Sequence, residues 1–210
     1  MFQNIIWDVD GTLFDTYPAI ARAFRAALND LGQDASLDWI ETLAKKSLGY
    51  CVSTLAEQYH LEEKDLGQAF DEHYDRAKPA EQPAFPGVQT VCEYICSLGG
   101  KNIIVTHRGK ESTQELLAAN HITPYFSGLI SRDDGYPKKP HPAAFEAALQ
   151  KQNLRCSETL TVGDRDIDML AGQAAGVFTC LFGAELESVK ADLTISNFDE
   201  LYSYLVSQRD

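Results

Sequence analysis

The first apolar run, Ile5-Ile6-Trp7, is short and unbroken and ends in a carboxylate, the pattern of a strand, Ile5 to Asp8, buried in a sheet. From Pro18 to Leu31 the spacing changes. Ile20, Phe24, Ala27, Leu28 and Leu31 fall on one face of a helix, and Gly32 supplies its stop. Ser36 can cap a second helix carrying Leu37, Ile40, Leu43 and Ala44. After a break near Ser47-Leu48-Gly49, Val52, Leu55 and Tyr59 predict a third helix, and Leu66, Phe70 and Tyr74 a fourth. Residues from about 16 to 83 are thus expected to be wholly helical, with Lys78 to Gly87, rich in Pro, Ala and Gly, as a linker.

From Val88 the pattern alternates. Helices are expected at 88–98, 111–120, 142–152 and 167–175, and apolar strands at 102–106, 128–131, 159–162 and 177–182. Short apolar strands separated by helices of about ten residues imply right-handed crossovers, which build a parallel sheet covered on both faces. The expected fold is α/β: a doubly wound, Rossmann-like core from residues 1–15 and 84–210, with a small helical cap, 16–83, inserted after the first strand.

Composition narrows the partners. The 210 residues include 18 Lys plus Arg against 31 Asp plus Glu, a net charge of −13, and this surface repels nucleic acid and anionic membrane. No run approaches a membrane span and no basic leader precedes an apolar segment, so the expected location is cytoplasmic. Five cysteines at 51, 92, 96, 156 and 180, without a CxxC pair, fit a reducing compartment. Cys92 and Cys96, four apart on one helix, are expected to be small buried thiols.

Chemistry gathers at the carboxyl ends of the expected strands, where parallel sheets bind ligands. The first strand ends in Asp8-Val9-Asp10-Gly11-Thr12, the second in Thr106-His107-Arg108-Gly109. A later loop holds Lys138-Lys139-Pro140-His141-Pro142, and the strand at 159–162 runs into Gly163-Asp164-Arg165-Asp166-Ile167-Asp168. In an extended chain Asp8 and Asp10 point to the same side. Crowded like charges oppose folding unless a cation or a reacting group lies between them.

The stretches DVDGTLFDT, the strand-end Thr106, Lys139 ahead of Pro140-His141-Pro142, and VGDRDID resemble the four motifs of the haloacid dehalogenase superfamily, in order and spacing over essentially the whole chain. The helical insertion resembles the cap of its phosphoglycolate phosphatase and beta-phosphoglucomutase branch. The resemblance favours Lys139 over Lys138, because the family places its lysine directly before Pro-x-Pro. It also implies a cap that closes over substrate.

The residue types suit that chemistry. Asp8 can attack phosphorus to form an acyl phosphate, and Asp10 can protonate the departing alcohol and later accept a proton from water. Asp8, Asp164 and the main-chain carbonyl of Asp10 would suit Mg²⁺, with Asp168 as an outer support. Thr106 and His107 lie where a phosphate would be held, and Lys139 can stabilise the transition state. Plainer readings exist for several of these. Asp164 and Asp168 are also ordinary helix-start acids, and His107 and Arg108 an ordinary exposed basic pair. His141 reads as a loop residue, and Lys45 and Lys46 as a solvated face of the cap.

An acid at Asp10 points to phosphoryl rather than dehalogenase chemistry, since a halide needs no proton donor. The leading expectation is a Mg²⁺-dependent phosphatase, a phosphoric monoester hydrolase acting on a small phosphorylated metabolite such as phosphoglycolate or a sugar phosphate, as a monomer or homodimer. The alternatives are a beta-phosphoglucomutase-like phosphomutase using the same residues, and a non-catalytic phosphate sensor that keeps the fold.

Overall fold

A computed structural model describes residues 1–209. Its contacts divide the chain into two compact units, residues 1–14 with 84–209, and residues 15–83.

The first unit is built on a parallel sheet. Strand β1 (Asn4–Trp7) lies inside it, between β2 (Asn102–Val105) and β4 (Thr159–Gly163). With β3 (Phe126–Ile130), β5 (Phe178–Phe182) and β6 (Leu193–Ile195) the order is β3-β2-β1-β4-β5-β6. Alternation of side chains sends Ile5 and Trp7 to one face and Ile6 to the other. Ile5 and Trp7 pack with α5 (Val88–Ser97), α6 (Lys110–Ala119) and α9 (Phe198–Ser207), through Val91, Cys92, Leu116, Phe198 and Leu201. Ile6 packs with Ile103 and Val105 against α7 (Ala143–Gln152) and α8 (Asp166–Ala174), through Phe145, Ala148 and Ala171. Polar groups in this interior are paired, as burial demands. The Trp7 indole N–H donates to Asn102 Oδ1 at 3.0 Å, and Asn102 Nδ2 donates to the Cys92 carbonyl at 3.1 Å.

The second unit contains α1 (Tyr17–Asp30), α2 (Leu37–Lys46), α3 (Leu48–Tyr59) and α4 (Glu63–Tyr74) around a core of its own. Ser36 and Ser47 cap α2 and α3 by accepting the backbone N–H of Trp39 and Tyr50. Gly32, at φ +75°, takes the left-handed position after α1. Phe24 stacks on Phe70 with ring centroids 3.9 Å apart.

Several details differ from the sequence expectation, among them β3, which starts two residues earlier than expected. β1 and β2 each stop one residue early, so that Asp8 and Thr106 stand just past the strands rather than in them. β6 and α9 extend the sheet and its cover beyond the last strand expected; three residues of β6 are too few to show a period. Cys92 is buried, but Cys96 is exposed, because α5 buries only one stripe and position 96 falls at its edge.

Candidate active site

Asp8 leaves β1 with its backbone N–H donated to the Val162 carbonyl at 3.0 Å, which extends the sheet pairing one step past Trp7. The chain then folds sharply. The N–H groups of Thr12, Leu13 and Phe14 all reach the Val9 carbonyl, and Gly11 sits at φ +78°, where a side chain would be strained. The Asp8 carboxylate therefore ends at the tip of the sheet, only 3% exposed.

Lys139 arrives from the loop before α7, where the Lys139–Pro140 peptide is cis. Its ammonium is 2.5 Å from Asp8 Oδ1 and 2.5 Å from Asp168 Oδ1, and it donates a third bond to the Val105 carbonyl at 3.1 Å. Three acceptors meet three donors, which is what a buried ammonium requires. Asp168 lies in the first turn of α8, and its second oxygen accepts the Arg165 backbone N–H at 3.2 Å. Gly163 makes this approach possible, since a Cβ there would lie 2.3 Å from the Asp168 Cβ.

Burial pushes the Asp8 carboxyl up to about 6; Lys139 pulls it down, and the neighbouring Asp168 charge works with burial. For Lys139 burial acts downward, yet the carboxylates of Asp168 and Asp8 outweigh it and hold the ammonium above its usual range. Asp8 Oδ2 is buried with no hydrogen-bond partner. Asp8, Asp164 and Asp168 each offer an oxygen within 4.8 Å of the others, and the Thr12 hydroxyl steadies Asp164 at 3.3 Å.

The next strand end holds a second group. Thr106, 4% exposed, accepts the Arg108 backbone N–H on Oγ1 at 3.0 Å. His107 Nε2 accepts the Lys139 backbone N–H at 2.9 Å, and burial with the Lys139 charge brings its pKa down to about 4, so the ring is neutral at ordinary pH. Arg108 reaches Asp10, Nη1 to Oδ1 at 2.7 Å. A small cavity bounded by Thr106, His107, Ser131, Tyr136, Lys138 and Lys139 opens along this edge.

The residues singled out in the sequence thus fall into two groups. Asp8, Lys139, Asp164 and Asp168 come together in one cluster. Asp10 turns its carboxylate to Arg108 instead. His107 meets the Lys139 backbone, and Asp168 bonds to Lys139 directly. The bond from Arg108 to Asp10 was not expected from the sequence; the signal for Arg108 was its place in the basic pair after β2.

A family model for haloacid dehalogenase-like hydrolases matches residues 5–182. The chain belongs to the haloacid dehalogenase-like hydrolase family. This hydrolase is similar to a phosphoglycolate phosphatase of Yersinia pestis, 29% identical over 215 residues, 95% of this chain and 91% of that protein. It is also similar to the crystal structure of a hydrolase from Streptococcus pneumoniae TIGR4, 28% identical, with a TM-score of 0.69 over 98% of both chains. A Thermotoga maritima protein provisionally described as a beta-phosphoglucomutase shares the fold, with a TM-score of 0.81 at 20% identity over 99% of both chains. The metal that the family resemblance implies fits this haloacid dehalogenase-like site. Its donors are hard carboxylate oxygens, and the buried, unpartnered Asp8 Oδ2 is one that a cation would satisfy.

Proposed function

We propose that this hydrolase is a Mg²⁺-dependent phosphatase of small phosphate monoesters, working through an aspartyl phosphate on Asp8. The observation that carries this reading is the state of the Asp8 carboxylate. It is buried at a strand tip, anchored through Oδ1 by Lys139, and left with an unpaired Oδ2. Bound by Asp8, Asp164 and the Asp10 carbonyl, Mg²⁺ would offset the repulsion between a carboxylate and a phosphate dianion.

The chain's own groups do the rest. An Asp8 oxygen bonds to phosphorus as the ester oxygen departs, taking a proton from Asp10. Lys139 and the Thr106 hydroxyl donate to the phosphoryl oxygens as charge builds on them. Water then cleaves the acyl phosphate, giving up its proton to Asp10 and returning Asp8 to a carboxylate. The name of the Yersinia relative makes 2-phosphoglycolate the first metabolite to assay.

The purified protein is expected to release phosphate from p-nitrophenyl phosphate in Mg²⁺, to stop in excess EDTA and to recover when Mg²⁺ is restored. A panel of phosphorylated metabolites then locates the substrate. Turnover unaffected by EDTA, or none with any phosphate ester, would overturn the reading. Isomerised sugar phosphate in place of inorganic phosphate would make the protein a mutase.

A further inference from the structure

Asp10 lies in the turn after β1 with its side chain a quarter exposed. Arg108 is different. Its side chain is 9% exposed and tied down at several points: its Nε donates to Ser112 Oγ at 2.8 Å, its backbone N–H to Thr106 Oγ1 at 3.0 Å, and its carbonyl accepts the Arg132 N–H at 3.1 Å. α6 and β2 therefore hold the guanidinium as a fixed donor. That donor takes Asp10 Oδ1 at 2.7 Å and so ties the carboxyl group, through Arg108, to Ser112 of α6.

We propose that Arg108 is a positioning residue for the second half of the reaction, orienting the Asp10 carboxyl group to take the proton of the water that hydrolyses the acyl phosphate. This rests on the phosphatase reading above. An arginine partner suits a proton acceptor, because a guanidinium only donates hydrogen bonds and never competes for the proton. In the step, the water oxygen bonds to phosphorus and the bond from phosphorus to the Asp8 oxygen breaks. Its electron pair returns to Asp8, and the water proton passes to Asp10 Oδ2. The products are inorganic phosphate, ionised Asp8 and protonated Asp10, so charge and atoms balance.

The two halves can be separated with p-nitrophenyl phosphate, whose leaving group needs no proton. With this substrate kcat/KM reports the attack by Asp8, whereas kcat reports hydrolysis whenever that step is slow. Arg108→Gln is expected to lower kcat about 100-fold, the order of loss that misplacing a catalytic group brings. KM should fall in parallel, leaving kcat/KM on the order of the native value.

The first turnover should then appear as a burst of nitrophenol close to one equivalent per protein. Arg108→Lys, which keeps a donor, should recover part of kcat. A burst amplitude near one shows that the variant is folded and its nucleophile intact. A fall in kcat/KM without a burst, or full kcat in Arg108→Gln, would overturn the proposal. Failure of the phosphatase reading looks different, because the native protein itself would then release no nitrophenol.

Discussion

Lys139 holds one buried ammonium between two buried carboxylates, and the three groups do not contribute alike. Removing the ammonium strands two buried anions beside each other. Lys139→Met is expected to cost about 3–5 kcal/mol in urea unfolding, the usual result of breaking a buried pair. Asp8 is the opposite case, because burial and Asp168 both disfavour its charge. Asp8→Asn should therefore keep its unfolding midpoint within about 1 kcal/mol of native while activity falls by about 10⁴ or more. His107 contributes through pH. Its folded pKa, near 4, lies below the unfolded value, so between about 6.5 and 4 the unfolded chain binds the extra proton. Its contribution is complete above that window and lost as pH falls through it. Native protein should lose more stability than His107→Gln between pH 6.5 and 4, by denaturant titration at each pH. The carboxylates were visible in the sequence because each lies within a few residues of a strand end, and Lys139 because it directly precedes Pro140-His141-Pro142. The bond from Arg108 to Asp10 joins residues 98 apart, and that from Lys139 to Asp168 residues 29 apart, which no local pattern can show.

Between β4 and α8 the strand must turn into the helix with Asp168 lying over the turn, and Gly163 is the residue that leaves room. Gly163→Ala would put a Cβ 2.3 Å from the Asp168 Cβ and 2.6 Å from its carboxyl carbon, so either the side chain or the turn has to move. Movement takes Asp168 off Lys139 and widens the carboxylate cluster. The variant is expected to need more Mg²⁺ for half-maximal activity and to lose about 100-fold in kcat/KM, measured by titrating Mg²⁺ at fixed substrate. At this scale the sequence was most readable. α1 carries its apolar stripe and stop, and α2 its stripe and cap, within a single window, and the buried strands are plain apolar runs. The shift of β1 by one residue, and the later β6, depend on pairing with distant chain, and so lie outside what periodicity reports.

For the whole molecule, charge and topology are the relevant quantities. With a net charge of −13 the protein repels an approaching phosphate dianion at long range, and only nearby groups such as Lys139 attract it. Raising ionic strength from about 10 to about 150 mM shortens the screening length from roughly 30 to 8 Å. At saturating Mg²⁺, kcat/KM for an anionic substrate should therefore rise over that range, and steady-state assays in a salt series would show it. Topology has a further effect. β1 is made first yet lies in the middle of the sheet, bonded on one side to β2 and on the other to β4. Both of its neighbours are synthesised about a hundred or more residues later, and pairings so remote in sequence form late. On the ribosome Asp8 must wait for Lys139 and Asp168 before it has an anchor. A product terminated before Asp168 thus lacks the finished cluster, and translation itself postpones the anchoring of Asp8 until α8 has emerged.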